Sequence, residues 1–290
     1  MEGLIRKLAN IFPVTVLDAI FVGDGTNRKL REYISSKSRN YDINVKSINH
    51  RGYCTIAPEN TLAAYRLSAE NGYTYVETDI SFTSDNVPVL LHDDTIDRTS
   101  NGSGNVAEMT LEELKTYDFG AWKSDIYAGE TIPTLEEFMA LCKNLCMQPY
   151  LEFKAYSSIT QEQIDICVNI VKKYGMIDNV TWISFNSDVL SMIAQSCSNA
   201  RIGFLSFCRE TDADPLPVIE EFKSLGYNVF FDAHYAYVTD EMIEFVQSVD
   251  VPLEVWTVDS ASSLKNLNPY VTGVTTNLLN AGQILYEANI

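Results

Sequence analysis

The chain has 290 residues, of which 46% are hydrophobic and 11% aromatic, and it carries a net charge of −18 at neutral pH. That length and apolar content suit one large α/β domain with a full core and exclude wholesale disorder. A charge this negative, with no basic stripe, excludes binding along a nucleic-acid backbone, although a small phosphorylated substrate held beside a cation stays possible.

No apolar run is long enough to span a bilayer. The N-terminal stretch loosely mimics a signal peptide, but Asn10, Pro13 and Asp18 interrupt it, which favours a cytoplasmic location. The six cysteines are scattered, as suits a reducing compartment. Cys142 and Cys146 form a C-x3-C in a helical pattern without nearby His or Cys partners, and both read as core rather than as a zinc site.

In chain order, residues 1–43 read as a separate preamble: a strand-like run at 17–22, a turn at Gly23-Asp24-Gly25 and a short helix at 28–36. It is too short to bury its own core, so it either docks on the main domain, belongs to a larger assembly or is a loose arm. Residues 44–290 form the main domain, beginning with a strand at 45–49. Asn60 is placed to cap a helix over 61–71, which stops at Gly72. A strand follows at 75–82. The link 83–87 is too short for a parallel crossover, so 88–92 is expected to fold back as an antiparallel hairpin arm. Residues 93–134, with the turn-rich R-T-S-N-G-S-G and an amphipathic piece at 111–117, read as a small inserted cap after the second strand.

Beyond the cap the rhythm is regular. Helices are expected at 135–145, 161–174, 188–197, 216–225, 241–248, 260–267 and 282–288. Strands are expected at 150–154, 180–185, 202–207, 229–232, 253–258 and 271–276. With the hairpin arm left out, the chain offers eight strand–helix units, the pattern of an α/β TIM (β/α)8 barrel. An open doubly wound sheet is the other arrangement, but no Gly-rich turn follows the first strand.

In such a barrel the strand C-termini share one mouth. His50 and Arg51 end the first strand, Glu77 and Asp79 the second, His92 the hairpin arm, Glu152 and Lys154 the third, and Trp256 lies near the end of the seventh. Residues two apart on a strand share a face, so Glu77 and Asp79 point together with Thr78 turned away. Three carboxylates suit a hard divalent cation such as Ca²⁺ or Mg²⁺ better than zinc. The bland reading, salt bridges to Arg51 and Lys154, leaves one acid uncompensated. Arg51 offers a planar fork of donors for phosphate oxygens, and Lys154 adds a point charge. Two imidazoles can divide the proton work, one deprotonating a nucleophile and the other protonating a leaving alkoxide.

The ordered set H-R-G, P-E-N-T, E-T-D, H-D, E-F-K and V-W-T-V, across roughly residues 47–285, resembles the glycerophosphodiester phosphodiesterase family. The resemblance implies a TIM barrel with a small insertion after the second strand. It also implies cation-dependent hydrolysis of a glycerophosphodiester to sn-glycerol 3-phosphate and an alcohol. His50 and His92 would be the acid/base pair, Glu77, Asp79 and Glu152 the cation ligands, Arg51 and Lys154 the phosphate holders, and Trp256 a neighbour of the glycerol. It further implies that the substrate's own 2-hydroxyl could attack first, giving a cyclic phosphate.

Two stretches depart from that pattern. The family ends its last strand with a T-D-x-P-like turn, whereas this chain has Thr276-Asn277-Leu278-Leu279, a difference expected to bear on substrate choice. His234 matches no family position and reads as structural or as a pocket wall. The preamble loosely resembles segments of phage-tail and Gram-positive cell-surface proteins, which points to polyglycerolphosphate (teichoic acid) as another substrate. Two alternatives stay open: a non-catalytic polyglycerolphosphate-binding module, and a lyase-type barrel phospholipase that stops at a cyclic phosphate.

Overall fold

The computed structural model describes residues 45–154 and 159–277. The expected preamble and the helix expected at 282–288 lie outside these residues. The strands are β1 (Lys46–Asn49), β2 (Tyr75–Phe82), β3 (Pro88–Leu90), β4 (Gln148–Phe153), β5 (Thr181–Ser184), β6 (Arg201–Ser206), β7 (Asn228–His234), β8 (Leu253–Trp256) and β9 (Val271–Thr276). The described helices are α1 (Leu62–Glu70), α2 (Leu111–Leu114), α3 (Leu135–Leu145), α4 (Gln161–Lys173), α5 (Ser187–Ser196), α6 (Leu216–Ser224), α7 (Asp240–Ser248) and α8 (Ala261–Lys265).

The sheet runs β1-β9-β8-β7-β6-β5-β4-β2-β3, and β1 also pairs in parallel with β2 through Ile48–Tyr75 and Asn49–Val76. That last pairing closes the eight parallel strands into a TIM barrel. β3 stands outside the barrel as an antiparallel arm on β2, as the five-residue link before it requires.

Strand alternation divides the side chains into two populations. Val76, Ile80, Leu151, Phe153, Trp182, Ile202, Phe231, Val255 and Val274 face outward and join the large core under the helices. Ile48, Tyr150, Ile183, Leu205 and Phe230 meet inside the barrel and fill it. Gly203 makes room for this plug, because a Cβ there would lie 2.2 Å from the Phe230 ring. The insertion has a small core of its own, in which Val89 and Leu91 from the hairpin arm pack with Ile96, Val106, Leu114, Phe119 and Ile132.

Two local expectations are corrected. Thr61, not Asn60, caps α1, its hydroxyl accepting from the Ala64 N–H. Asn60 has a left-handed backbone (φ 56°) and turns its side chain into the barrel mouth. Of the C-x3-C pair, Cys142 is core but Cys146 is exposed, because it ends α3 in the left-handed conformation that turns the chain out of the helix.

The packing of Gly203 against Phe230 is testable. Gly203→Ala should lower unfolding free energy by about 1–3 kcal/mol in denaturant titrations, with part recovered in the Gly203→Ala/Phe230→Leu double variant. A single variant as stable as the parent would contradict the packing described.

Candidate active site

The turn after β1 sets the geometry of the mouth. Arg51 and Gly52 are both left-handed (φ 55° and 75°). Gly52 packs so closely on α1 that a Cβ would sit 2.8 Å from the Ala64 Cβ and 3.0 Å from its carbonyl carbon. This tight turn sends the Arg51 backbone N–H to Glu77 Oε2 at 2.9 Å and its side-chain Nε to 3.3 Å from Asp79 Oδ2. The H-R-G sequence therefore couples β1 to β2 through main chain and side chain together.

Glu77, Asp79 and Glu152 face one another at the mouth, each offering an oxygen within 4.8 Å of the others. Asp79 lies directly beside Glu152 in the β2–β4 register. All three are buried, and Lys154 bridges Asp79 and Glu152, at 2.7 Å from the latter. Asn60 Nδ2 donates to Asp79 Oδ2 at 2.7 Å. Asn60 Oδ1 accepts from the hydroxyls of Tyr65 (2.9 Å) and Thr78 (3.0 Å), which fixes the amide's orientation. Thr78 is thus turned away from the acids, as strand parity demands.

The electrostatics separate the three acids. Burial pushes Glu77 well above the usual carboxylate range, and its neighbours Asp79 and Glu152 add to the shift. Burial likewise raises Glu152, to about 7, despite the Lys154 ammonium. Burial also works to raise Asp79, but Lys154 and Arg51 outweigh it and hold this carboxyl below its ordinary range. Glu77 Oε1 is buried without a hydrogen-bond partner. An orphaned carboxylate oxygen beside two further acids, with no sulfur or imidazole in the set, fits a hard divalent cation.

Both histidines reach this cluster. His50 Nε2 lies 3.9 Å from Glu77 Oε2, and its Nδ1 meets Asn277 Oδ1 at 2.8 Å. His92 sits close enough to Asp79 to feel its charge, and its Nδ1 meets Asp93 Oδ1 at 2.6 Å. Burial lowers both imidazoles, His50 to about 4, with Arg51 reinforcing the shift there. Asp93 is held in turn by Arg98 Nε at 2.7 Å. The remaining Arg98 nitrogens grip Glu59 through two 2.8 Å bonds, and Glu59 also accepts from Arg51 Nη1 at 2.9 Å. Arg98 pulls the Asp93 carboxyl down to about 2 against the effect of burial.

Trp256 ends β8 on an aromatic wall opposite the acids' side of the sheet order. Its indole N–H donates to the Asp232 carbonyl at 3.1 Å, and its ring meets Phe207 (4.9 Å), His234 (5.1 Å) and Phe185 (5.5 Å) edge to face. His234 packs within this aromatic cluster, against Phe207, Tyr235, Tyr237 and Trp256.

The acids, both histidines, Arg51 and Lys154 form one contiguous set at the barrel mouth, and Trp256 ends β8. Sequence reasoning gave no role to Glu59, Asp93, Arg98 or Asp259, read Asn60 only as a helix cap, and placed Asn277 only in the altered turn after the last strand. Glu59 and Asn60 stand inside P-E-N-T and Asp93 inside H-D, so their signal was present but unread; Arg98 and Asp259 carry none. Asn277, where the chain departs from the family's turn, meets His50 Nδ1 at 2.8 Å, a contact with an imidazole that its place in the sequence does not signal.

The profile of the glycerophosphoryl diester phosphodiesterase family matches residues 50–280. A glycerophosphodiester phosphodiesterase of Caldanaerobacter subterraneus is 31% identical over 231 residues, which cover 79% of this chain and 93% of that protein. Human glycerophosphodiester phosphodiesterase 1 is 42% identical over 123 residues, which cover 41% of this chain but only 37% of the human protein. Among solved structures, an Oleispira antarctica phosphodiesterase in complex with the product sn-glycerol-3-phosphate superposes with a TM-score of 0.74 at 27% identity, covering 84% of this chain and 97% of that one. With the barrel and the mouth residues already in place, these matches show that the chain belongs to the glycerophosphoryl diester phosphodiesterase family and is an enzyme of that class.

Proposed function

We propose that the chain hydrolyses a glycerophosphodiester to sn-glycerol 3-phosphate and an alcohol, with a divalent cation held by Glu77, Asp79 and Glu152 and proton transfer by His50 and His92. The observation that carries this reading is the meeting of three buried carboxylates with two imidazoles, each held by a dedicated partner at Nδ1. A binding module would have no need of oriented proton carriers. Ca²⁺ and Mg²⁺ both suit an all-oxygen set of this kind. When bound, the cation would draw charge from the phosphoryl oxygens and so ease attack at phosphorus.

The protein's own groups do the rest. One imidazole takes the proton of the attacking hydroxyl, and the other delivers a proton to the departing alkoxide, so the pair is restored over the full cycle. Arg51 and Lys154 place positive charge beside the acids, where phosphate oxygens would gather. Trp256 and the aromatic wall offer an apolar surface for the glycerol carbons. If the substrate's 2-hydroxyl attacks first, a cyclic phosphate forms before water opens it.

Phosphorus NMR tests the reading with glycerophosphocholine and with polyglycerolphosphate, in the presence of Ca²⁺ or Mg²⁺ and in EDTA. Cation-dependent release of glycerol 3-phosphate is expected, and His50→Ala and His92→Ala should each reduce kcat by about 10²-fold or more. A cyclic phosphate as the only product would indicate the lyase-type reading. Polymer binding without turnover under either cation would favour the binding module.

A pH dependence follows from the raised acids. Below a pH of about 7 Glu152 holds a proton, and burial shifts Glu77 in the same direction, so an incoming cation must displace protons to bind. Apparent cation affinity should therefore strengthen as pH rises from about 6 to 8, measured by equilibrium dialysis. Affinity that stays flat over this range would contradict the raised carboxyls.

A further inference from the structure

We propose that Asp259 and Asn277 are positioning residues that lock His50 in the tautomer with its proton on Nδ1, leaving the Nε2 lone pair turned to the acid cluster. This rests on the reading of His50 as a proton carrier. A neutral imidazole has one donor and one acceptor nitrogen, and its hydrogen-bond partner decides which is which.

The direction of the Asn277 amide settles the tautomer. Asn277 Nδ2 lies 2.7 Å from Asp259 Oδ2, and a carboxylate only accepts, so the amide's NH₂ must face Asp259. Asp259 Oδ1 also accepts from the Asn277 backbone N–H at 2.8 Å and from the Thr276 hydroxyl at 3.3 Å, which fixes the carboxylate itself. The amide oxygen is then left for His50 Nδ1 at 2.8 Å, and because an amide oxygen only accepts, Nδ1 must carry the hydrogen. Cys54 Sγ, 3.2 Å from the same oxygen, is a second donor; burial raises this thiol to about 11, so it keeps its proton at neutral pH.

The main chain holds the three residues in register. His50 N–H donates to the Thr276 carbonyl at 3.0 Å, and Val258 N–H donates to the Thr275 carbonyl at 3.0 Å. The end of β1, the end of β9 and the segment after β8 thus converge on one imidazole. Nε2 is the nitrogen that faces Glu77. A fixed lone pair at that place suits the imidazole that removes a proton, while His92, backed by the carboxylate of Asp93, is better suited to deliver one.

The chain's three histidines make ¹⁵N-histidine NMR a direct test. His50 in the parent protein should show the Nδ1–H pattern. Asn277→Leu should shift it toward Nε2–H and lower kcat about ten- to a hundredfold, with KM within about twofold. Asn277→Asp, which restores an acceptor, should return the Nδ1–H pattern and most of kcat. Asp259→Ala, at an exposed position, should free the amide to rotate and give a mixed tautomer; it carries the test with both readouts if Asn277→Leu fails to fold. An Nε2–H pattern in the parent, or an Asn277→Leu protein with unchanged tautomer and kcat, would overturn the proposal. NMR needs no turnover, so a locked tautomer in a protein without phosphodiesterase activity would uphold the relay and reject the functional reading beneath it.

Discussion

Glu77, Asp79 and Glu152 bring oxygens within 4.8 Å of one another in a buried mouth. At an effective dielectric near 20, each pair of charges at that spacing repels by about 3 kcal/mol. The surrounding structure is arranged around that repulsion. Lys154 bridges two of the acids, Arg51 reaches Asp79 by side chain and Glu77 by backbone N–H, and Asn60 donates to Asp79. The compensation is incomplete, since Glu77 and Glu152 still hold protons above the ordinary carboxylate range. Such a cluster costs stability, and its retention makes sense as a site prepared for a cation.

The hairpin arm and insertion serve the same centre. β3 hangs on β2 outside the barrel, yet it delivers His92, and the residues just after it supply Asp93 and Arg98. Through Glu59, that arm is tied back to Arg51 in the loop after β1. The insertion's small core anchors the arm by Val89 and Leu91, so packing remote from the mouth holds an imidazole in place. His50 is supported from the opposite side by Asn277 and Asp259. The two histidines are thus oriented by different chemistries, a neutral amide and a carboxylate, which suits two different proton roles.

The barrel was legible because strand–helix alternation and a short link with only one topological solution are periodic or length-based signals. Strand ends were legible to within a few residues, and β2 and β9 fall where the pattern places them. The acids and histidines were readable because strand parity and the common mouth of a barrel convert position directly into proximity. The supporting partners were not. Asn60 looks like a helix cap from its local sequence, and only the left-handed turn shows it facing Asp79. Asp259 and Asn277 lie far from His50 in the chain, and no periodicity links side chains that meet only through barrel closure. Arg98 sits in a turn-rich segment whose path is set by tertiary contacts with Glu59 and Asp93.

The most direct test of this account is calorimetric titration of EDTA-treated protein with Ca²⁺ and Mg²⁺, beside Glu77→Gln and Glu152→Gln. The account predicts binding of one cation per chain by the parent, loss of that binding in both variants, and variants that melt no lower than the metal-free parent because a neutral amide replaces a buried carboxyl that already favours its protonated form. No cation binding by the parent, together with turnover that survives EDTA, would contradict the claim that the three carboxylates are built to hold a metal.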